Sequence, residues 1–306
     1  MNKYELFKTE VEDAGIELHS LLVMEKGELL YENYFTNKAG KDKLHRMFSC
    51  TKSYVAMGIG LLVEAGKIST DDLIVEYFPE FVTDDLNPLV AEMTIGDMLS
   101  MRTCYRKTTY DATSKVKNWV ESFFISEPHH KAGTVFNYDT SASHVLAALI
   151  EKLTGKELLE FLRESFLDEI GFSKEAYIIK DPFGVSMGGA GLYAKSSDLL
   201  KTGELFLSNG KNREGKEVYP ASWLKEMTIN RVSTKPNQKE AEGYGYQIWM
   251  IPGGYAFYGL GGQWLMIFPE SEKIVVTTAD NHGNKFIDWE IMLCACRSFG
   301  EISKSA

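Results

Sequence analysis

The sequence has few cysteines, a deficit of basic charge and no long apolar run. Only four cysteines occur in 306 residues, too few and too irregularly spaced for a disulfide framework, so free thiols are expected. Basic residues number 33 against 43 acidic ones, which argues against a nucleic-acid partner because phosphate binding requires clustered Lys and Arg. No apolar run approaches the ~18 residues that cross a bilayer, so no membrane partner is expected either.

The first residues, Met1–Glu5, are too polar for the start of a signal peptide, and a cytoplasmic location is therefore predicted. Apolar residues make up 44% of the chain, an ordinary share for a globular protein. Cys294 and Cys296 lie in an apolar stretch, which favours core packing over a redox or metal role.

Strand patterns occur near both ends of the chain, and helical patterns lie between them. Alternating apolar residues predict strands at 20–23 and 29–34, and again at 245–251, 255–259, 264–268 and 274–279. This order predicts an α+β fold, in which distant segments complete one antiparallel sheet flanked by helices. We expect a single domain, residues 1–306, with an α/β lobe at about 1–72 and 185–306. A mostly helical lobe is expected at about 73–184, with a cleft between the two lobes.

The first chemical pattern is Ser49-x-x-Lys52, at the start of a helix predicted over about 49–65. The i, i+3 spacing puts both side chains on one helix face, with Cβ atoms about 5–6 Å apart. A neighbouring amine can take the serine proton if burial lowers its pKa. By itself the pattern fits equally well an N-cap serine beside a solvated lysine.

Two further patterns follow along the chain. Tyr138 stands before a helix predicted over 143–153, where a tyrosine can cap the helix or, beside a lysine, relay protons. Residues 257–263 carry several glycines beside a candidate edge strand. Glycines there allow a substrate to approach the backbone, although a tight turn would need them as well.

In this order the three patterns resemble those of the serine β-lactamase and penicillin-binding-protein superfamily. That superfamily carries Ser-x-x-Lys, then Tyr-x-Asn or Tyr-x-Ser, then Lys/His-Thr/Ser-Gly. The similarity spans about residues 18–290, and the third pattern is most similar to class-C-like esterases and to hydrolases of 6-aminohexanoate oligomers. The resemblance implies a serine hydrolase that forms an acyl-enzyme on a small ester or amide, with no cofactor and no metal.

The resemblance also implies a role for individual residues. Ser49 matches the acylated nucleophile, Lys52 its proton acceptor and Tyr138 the second-motif tyrosine. The backbone N–H groups of Ser49 and Leu260 match the oxyanion hole, unless a two-residue shift gives that role to Gly262. The substrate-binding positions that follow from the match are Thr140, Phe257, Tyr258, Gly259 and Gly261.

The sequence departs from the superfamily pattern in two of the three motifs. Thr140 stands where Asn or Ser is usual, and Phe257 and Tyr258 stand where Lys or His followed by Thr or Ser is usual. The second departure removes the cation expected to hold a substrate carboxylate, so neutral esters or amides are predicted to be better substrates than β-lactams. The alternative is a penicillin-binding or sensor protein that is acylated at the same serine with negligible turnover.

Two other patterns are weaker. Residues 189–194 satisfy the dinucleotide pattern G-x-G-x-x-A, but no strong buried strand precedes them and no βαβ unit follows. His129 and His130 form a pair, whereas the other histidines are scattered, so no metal centre is expected. The sequence leaves the oligomeric state open.

Overall fold

The computed structural model describes residues 2–37, 40–110, 118–281 and 287–300. Within them the strands, in chain order, are β1 (Leu18–Glu25), β2 (Glu28–Tyr34), β3 (His45–Phe48), β4 (Tyr177–Ile178), β5 (Leu192–Ala194), β6 (Gly243–Tyr244), β7 (Trp249–Ile251), β8 (Gly254–Gly259), β9 (Gln263–Phe268) and β10 (Lys273–Ala279).

The α-helices of the same residues are α1 (Lys3–Asp13), α2 (Thr51–Glu64), α3 (Pro88–Ala91), α4 (Ile95–Leu99), α5 (Trp119–Ile125), α6 (Thr140–Thr154), α7 (Leu158–Leu162), α8 (Ser196–Leu207), α9 (Ala221–Met227) and α10 (Trp289–Phe299). Short 3-10 turns occupy Ile74–Tyr77 and Pro79–Phe81, and a π-helical turn, Arg163–Leu167, extends α7. None of these helices is long and apolar enough to cross a membrane.

Seven strands form one antiparallel sheet in the order β2-β1-β10-β9-β8-β7-β6. The hairpin near the start of the chain pairs with the last strand, for example Leu22 with Val276. Residues more than 200 positions apart therefore complete one sheet, which confirms the predicted α+β architecture.

Alternation along the strands sends neighbouring side chains to opposite faces of this sheet. Val23 and its partner Val275 belong to the core beneath α1 and α10, whereas Leu22 and Val276 belong to the larger core that holds the buried face of α2. The sheet is thus covered by helices on both sides.

The α2 helix is buried along almost its whole length, from Thr51 to Leu62. A Cβ on Gly60 would lie 2.1 Å from the Trp223 ring, and one on Gly58 would lie 2.7 Å from Ile150. Only glycine permits these close approaches, because any larger side chain would displace α6 or α9. The helix that follows Ser49 is therefore held rigidly inside the molecule.

Some elements differ from the sequence-based prediction. The helices α1 and α9 and the small sheet β3-β5-β4 were not predicted. The predicted strand 245–251 is interrupted, because Gln247 has a φ of +55°, a left-handed conformation that strands do not accommodate. Part of the predicted helix at 115–125 lies outside the described residues. The division into two lobes at residues 73 and 184 stays a prediction.

All four cysteines are buried thiols. Cys294 and Cys296 are 2% and 3% exposed and pack in the core between α10 and the sheet. Their predicted core role is confirmed.

Candidate active site

Ser49 lies in the turn between β3 and α2. The residue before it, Phe48, has a φ of +45°, which is unfavourable for a bulky side chain and is found mainly where surrounding packing enforces it. The Arg46 guanidinium lies 4.6 Å from the centre of the Phe48 ring and covers it. The strained turn presents Ser49 at the head of the buried helix.

Lys52 is 1% exposed and points at Ser49. Its Nζ lies 2.9 Å from Ser49 Oγ and 2.5 Å from the carbonyl oxygen of Gly189. Burial lowers the pKa of Lys52 to about 7, although the nearby Asp139 carboxylate opposes the shift. A large fraction of this amine is therefore neutral at neutral pH and able to accept a proton.

Tyr138 completes this group of polar side chains. Its hydroxyl is hydrogen-bonded with Ser49, and its ring lies 4.9 Å from Lys52 Nζ and stacks on Trp249. Burial raises the pKa of the Tyr138 phenol, so this hydroxyl is protonated at neutral pH. The geometry brings together Ser49, Lys52 and Tyr138, the three residues that the sequence singled out.

Asp139, which the sequence reasoning missed, lies directly behind this group. Its side chain caps α6 by accepting the N–H of Ser141 at 2.9 Å, and it also accepts the hydroxyl of Thr103 at 3.0 Å. The carboxyl is fully buried, which raises its pKa. An Asp immediately before a helix is a recognisable N-cap signal, but its proximity to Lys52 depends on the tertiary fold.

The β8–β9 hairpin forms the other side of the site. A Cβ on Gly259 would lie 2.1 Å from the carbonyl oxygen of Met47, so the end of β8 lies directly against the strand that leads to Ser49. Leu260 follows in the turn and is 38% exposed. This contact brings the turn next to Ser49.

The backbone N–H groups of this turn differ in their hydrogen bonding. Gly262 donates to the carbonyl oxygen of Gly259 at 3.3 Å, and Gly261 donates to Asp288 Oδ2 at 2.9 Å. Within the described residues, neither Leu260 N–H nor Ser49 N–H donates to another protein group. The geometry thus favours Leu260 over the alternative, Gly262, as the oxyanion-hole donor.

The predicted substrate position at Phe257 does not fit the structure. Its side chain is fully buried on the opposite face of β8, with ring centres 5.9 Å from Tyr54 and 5.5 Å from Phe206. The alternation of a strand requires this, because the next residue, Tyr258, faces the site. Phe257 is therefore a core residue, and of the two neighbours only Tyr258 is available to a ligand.

Thr140 begins α6 beside the carbonyl partner of Lys52. Its Cγ2 lies 2.3 Å from the position that a Cβ on Gly189 would take, so only glycine fits at 189. The pattern at 189–194, which the sequence offered as a weak dinucleotide motif, instead supplies a backbone carbonyl to Lys52.

A cavity of about 360 Å³ lies between Tyr138 and Leu260. Aromatic and amide side chains line it, and none of the lining residues carries a formal charge: Phe136, Asn137, Tyr138, Asn237, Gln238, Trp249, Tyr258, Leu260 and Trp289. Trp264 and Tyr255, two other aromatic residues of β8 and β9, do not line the cavity. A larger cavity near Lys195 contains none of the predicted site residues.

The sequence model of the Beta-lactamase family matches residues 5–290, and the chain belongs to that family. A 6-aminohexanoate-dimer hydrolase from Paenarthrobacter ureafaciens is 23% identical over 282 residues, which cover 84% of this chain and 71% of the relative. A Bacillus anthracis protein assigned to the 6-aminohexanoate-dimer hydrolases has a similar structure, with a TM-score of 0.79 and 23% identity. That match covers 96% of this chain and 81% of the other.

A D-amino acid amidase from Ochrobactrum anthropi SV3 superposes with a TM-score of 0.74 at 18% identity, over 97% of this chain and 100% of the amidase. These findings confirm the resemblance inferred from the three patterns and the fold that it implied. The chain is accordingly a hydrolase of this family, as the sequence predicts.

Proposed function

We propose that the protein hydrolyses a small, neutral ester or amide through an acyl-enzyme formed at Ser49. The observation that carries this proposal is the 2.9 Å distance from Lys52 Nζ to Ser49 Oγ, made by an amine whose pKa burial lowers to about 7. A neutral amine at hydrogen-bonding distance from a hydroxyl is the arrangement that activates a serine.

In the acylation step, Lys52 accepts the Ser49 hydroxyl proton as Oγ forms a bond to the substrate carbonyl carbon. The negative charge that develops on the carbonyl oxygen is held by the N–H groups of Ser49 and Leu260. The bond to the leaving group then breaks, and the leaving group takes a proton from Tyr138, which Lys52 reprotonates. The serine proton is thereby transferred, in net terms, to the departing alcohol or amine.

Deacylation reverses the order of proton transfers. A water molecule attacks the acyl carbon and gives up its proton to the Lys52–Tyr138 pair, and the departing Ser49 oxygen takes that proton back. The raised pKa of Tyr138 makes its phenol a proton donor rather than the initial base, which gives Lys52 the base role in acylation.

The chemistry of the cavity supports a neutral substrate. Its aromatic walls favour an apolar group, and the amides of Asn137 and Gln238 offer neutral hydrogen-bonding partners. The relatives named for 6-aminohexanoate dimers and D-amino acid amides support amide cleavage as one form of the activity. The cytoplasmic location stays a prediction from the sequence.

Covalent labelling tests the proposal. Incubation with a fluorophosphonate should add the reagent's mass to the peptide that contains Ser49, and Ser49→Ala should abolish the labelling. Ser53→Ala is a matched control, because Ser53 lies one residue beyond Lys52 and its hydroxyl donates to the carbonyl of Gln247. Labelling that persists in Ser49→Ala would contradict the assignment.

A chromogenic ester separates hydrolysis from the non-hydrolytic alternative. Continuous release of the chromophore at many equivalents per enzyme is expected for a hydrolase. A single stoichiometric burst would instead identify a penicillin-binding or sensor protein that stays acylated.

A further inference from the structure

Asp288 lies immediately before α10 and is 1% exposed. Its Oδ2 accepts two hydrogen bonds, from the Tyr258 hydroxyl at 2.7 Å and from the Gly261 N–H at 2.9 Å. Its backbone carbonyl accepts the Trp264 indole N–H at 3.1 Å, which fixes the residue itself against β9. One buried carboxyl thus binds the β8–β9 hairpin at two points, Tyr258 and Gly261.

Those two points flank Leu260, the residue whose N–H is proposed to bind the oxyanion. Tyr258 is two positions before it and Gly261 is one position after it. Gly261 and Gly262 in this turn have φ values of +88° and +101°. Glycine populates positive and negative φ about equally, so the sequence of the turn does not by itself fix its backbone conformation. An oxyanion donor must be held at 2.7–3.1 Å from the developing charge to be effective, so this turn requires an external support.

We propose that Asp288 is a positioning residue for the oxyanion hole, holding the Leu260 N–H in place through Tyr258 and Gly261. This inference rests on the proposed acyl-enzyme function and goes beyond it, because Asp288 does not line the cavity and touches no reacting atom. What matters in this role is the acceptor oxygen and its location.

A negative charge at this place would not itself help the reaction. It would oppose the charge that develops on the substrate oxygen nearby, and burial raises the pKa of the Asp288 carboxyl, which disfavours the ionised form. The amide oxygen of an asparagine can accept the same two hydrogen bonds without a charge. A positioning role therefore predicts that Asn can replace Asp and that Ala cannot.

The experiment compares the wild type with Asp288→Asn, Asp288→Ala and Tyr258→Phe, using a neutral p-nitrophenyl ester and a boronic acid. Asp288→Ala should lower kcat about 10- to 100-fold with little change in KM, since losing a whole oxyanion donor costs roughly 10²–10³-fold. Asp288→Asn should stay within about threefold of the wild type, because both acceptor bonds survive. Tyr258→Phe, which removes one of the two bonds, should fall between them.

The boronic acid forms a tetrahedral adduct on the serine and places an oxygen in the oxyanion hole. Its affinity should therefore fall in Asp288→Ala by about the same factor as kcat/KM. Asp198→Ala is the control, because Asp198 is equally buried and accepts the backbone N–H groups of Ser173 and Lys195. It should lower the melting temperature without changing kcat or boronate affinity of the folded enzyme.

The outcomes separate the two proposals. If the wild type is labelled at Ser49 and Asp288→Ala is labelled at the same rate, the positioning role is wrong and the hydrolase stands. If Asp288→Asn is as slow as Asp288→Ala, the charge rather than the acceptor matters and the positioning role is again wrong. If the wild type takes no label at Ser49, the proposed function has failed and the role of Asp288 falls with it.

Discussion

The two sides of the candidate active site are built in different ways. On one side, Ser49 and Lys52 stand one turn apart at the head of a buried helix, with Tyr138 against them. On the other side, a glycine-rich hairpin carries Leu260 and is tied to Asp288, 28 positions later in the chain. Local spacing sets the first side, whereas contacts between distant segments set the second.

Burial is also used differently on the two sides. Removing Lys52 from water lowers its pKa to about 7 and produces a base. Removing Asp288 from water raises the pKa of a carboxyl that accepts two hydrogen bonds. The same physical cause, desolvation of a charge, thus favours the neutral amine on the helix side and disfavours the ionised carboxylate on the hairpin side.

The largest expected effect concerns the helix side. Lys52→Ala and Tyr138→Phe should each lower kcat/KM about 10²–10⁴-fold, the range expected for general acid–base groups. Because the proposed mechanism passes one proton between the two side chains, the double variant should be little worse than the worse single variant. Steady-state kinetics of the four proteins on one neutral ester measures this.

The matched control for that cycle is the pair Lys52→Ala with Asp288→Ala, taken from opposite sides of the candidate active site. Those two losses should multiply, because proton transfer and oxyanion binding are separate contributions. Multiplication of the Lys52 and Tyr138 losses would mean that the two residues do not work as one unit.

The sequence predicted the helix side well for a physical reason. Ser-x-x-Lys fixes its own geometry through the helical repeat, and the order of the three patterns identified the family. The single antiparallel sheet completed by distant segments was also predicted, because the apolar residues of those segments alternate. A glycine just past a helix predicts a left-handed end, and Gly66, which follows α2, has a φ of +64°.

The hairpin side could not be predicted in the same way. Whether Phe257 or Tyr258 faces the site depends on the register of β8, and a shift of one residue exchanges the two faces. The proximity of Asp139 to Lys52 and the contacts of Asp288 with the hairpin join segments that no local spacing brings together. Gly189 belonged to a pattern whose usual interpretation is nucleotide binding, so its carbonyl contact with Lys52 became visible only in the folded chain.

The next effect is the pH dependence of acylation. Lys52 must be neutral to accept the serine proton, so kcat/KM should rise about tenfold per pH unit below pH 7 and level off above it. Burial raises the pKa of Tyr138, so that phenol stays protonated at mildly alkaline pH. Rates between pH 5 and 9 should therefore show an ascending limb with an apparent pKa near that of Lys52, about 7.

The ascending limb of the pH profile should be retained in Asp288→Asn. It should disappear in Lys52→Ala, because that variant lacks the amine whose titration produces the limb. A limb that persists in Lys52→Ala with the same apparent pKa would assign the titration to another group.

A smaller effect concerns substrate charge. A neutral acyl p-nitrophenyl ester should be favoured over the same ester with a terminal carboxylate by about 10-fold or more in kcat/KM, equivalent to ~1.4 kcal/mol. The reason is that a carboxylate entering the cavity would lose water without meeting a cation. Arg102, considered as such a cation, instead donates to Ser100 and to the carbonyl of Gly133.

The cavity offers a direct test of that preference at Asn237, which lines it and is exposed. Asn237→Lys should narrow the gap between the two esters, and Asn237→Met should not. Phe257→Lys would place an amine in the core, so it is expected to destabilise the protein without changing the preference. A wild type that hydrolyses a charged cephalosporin as fast as the neutral ester would contradict the argument.

The last effect is thermodynamic and compares Lys52 with an exposed lysine. The pKa of Lys52 is about 7 in the folded protein and about 10.4 in an unfolded chain. Between these values the unfolded state binds more protons, so the contribution of Lys52 to the free energy of unfolding rises with pH.

Lys52→Met lacks this group, and its melting temperature relative to the wild type should therefore be highest near pH 7 and should fall steadily toward pH 10. Lys225→Met, at an exposed position on α9, is the matched control for replacing a lysine by methionine. Thermal unfolding of the three proteins from pH 6 to 10 measures the difference, and a gap between wild type and Lys52→Met that stays constant over that range would mean that Lys52 is not desolvated as the site requires.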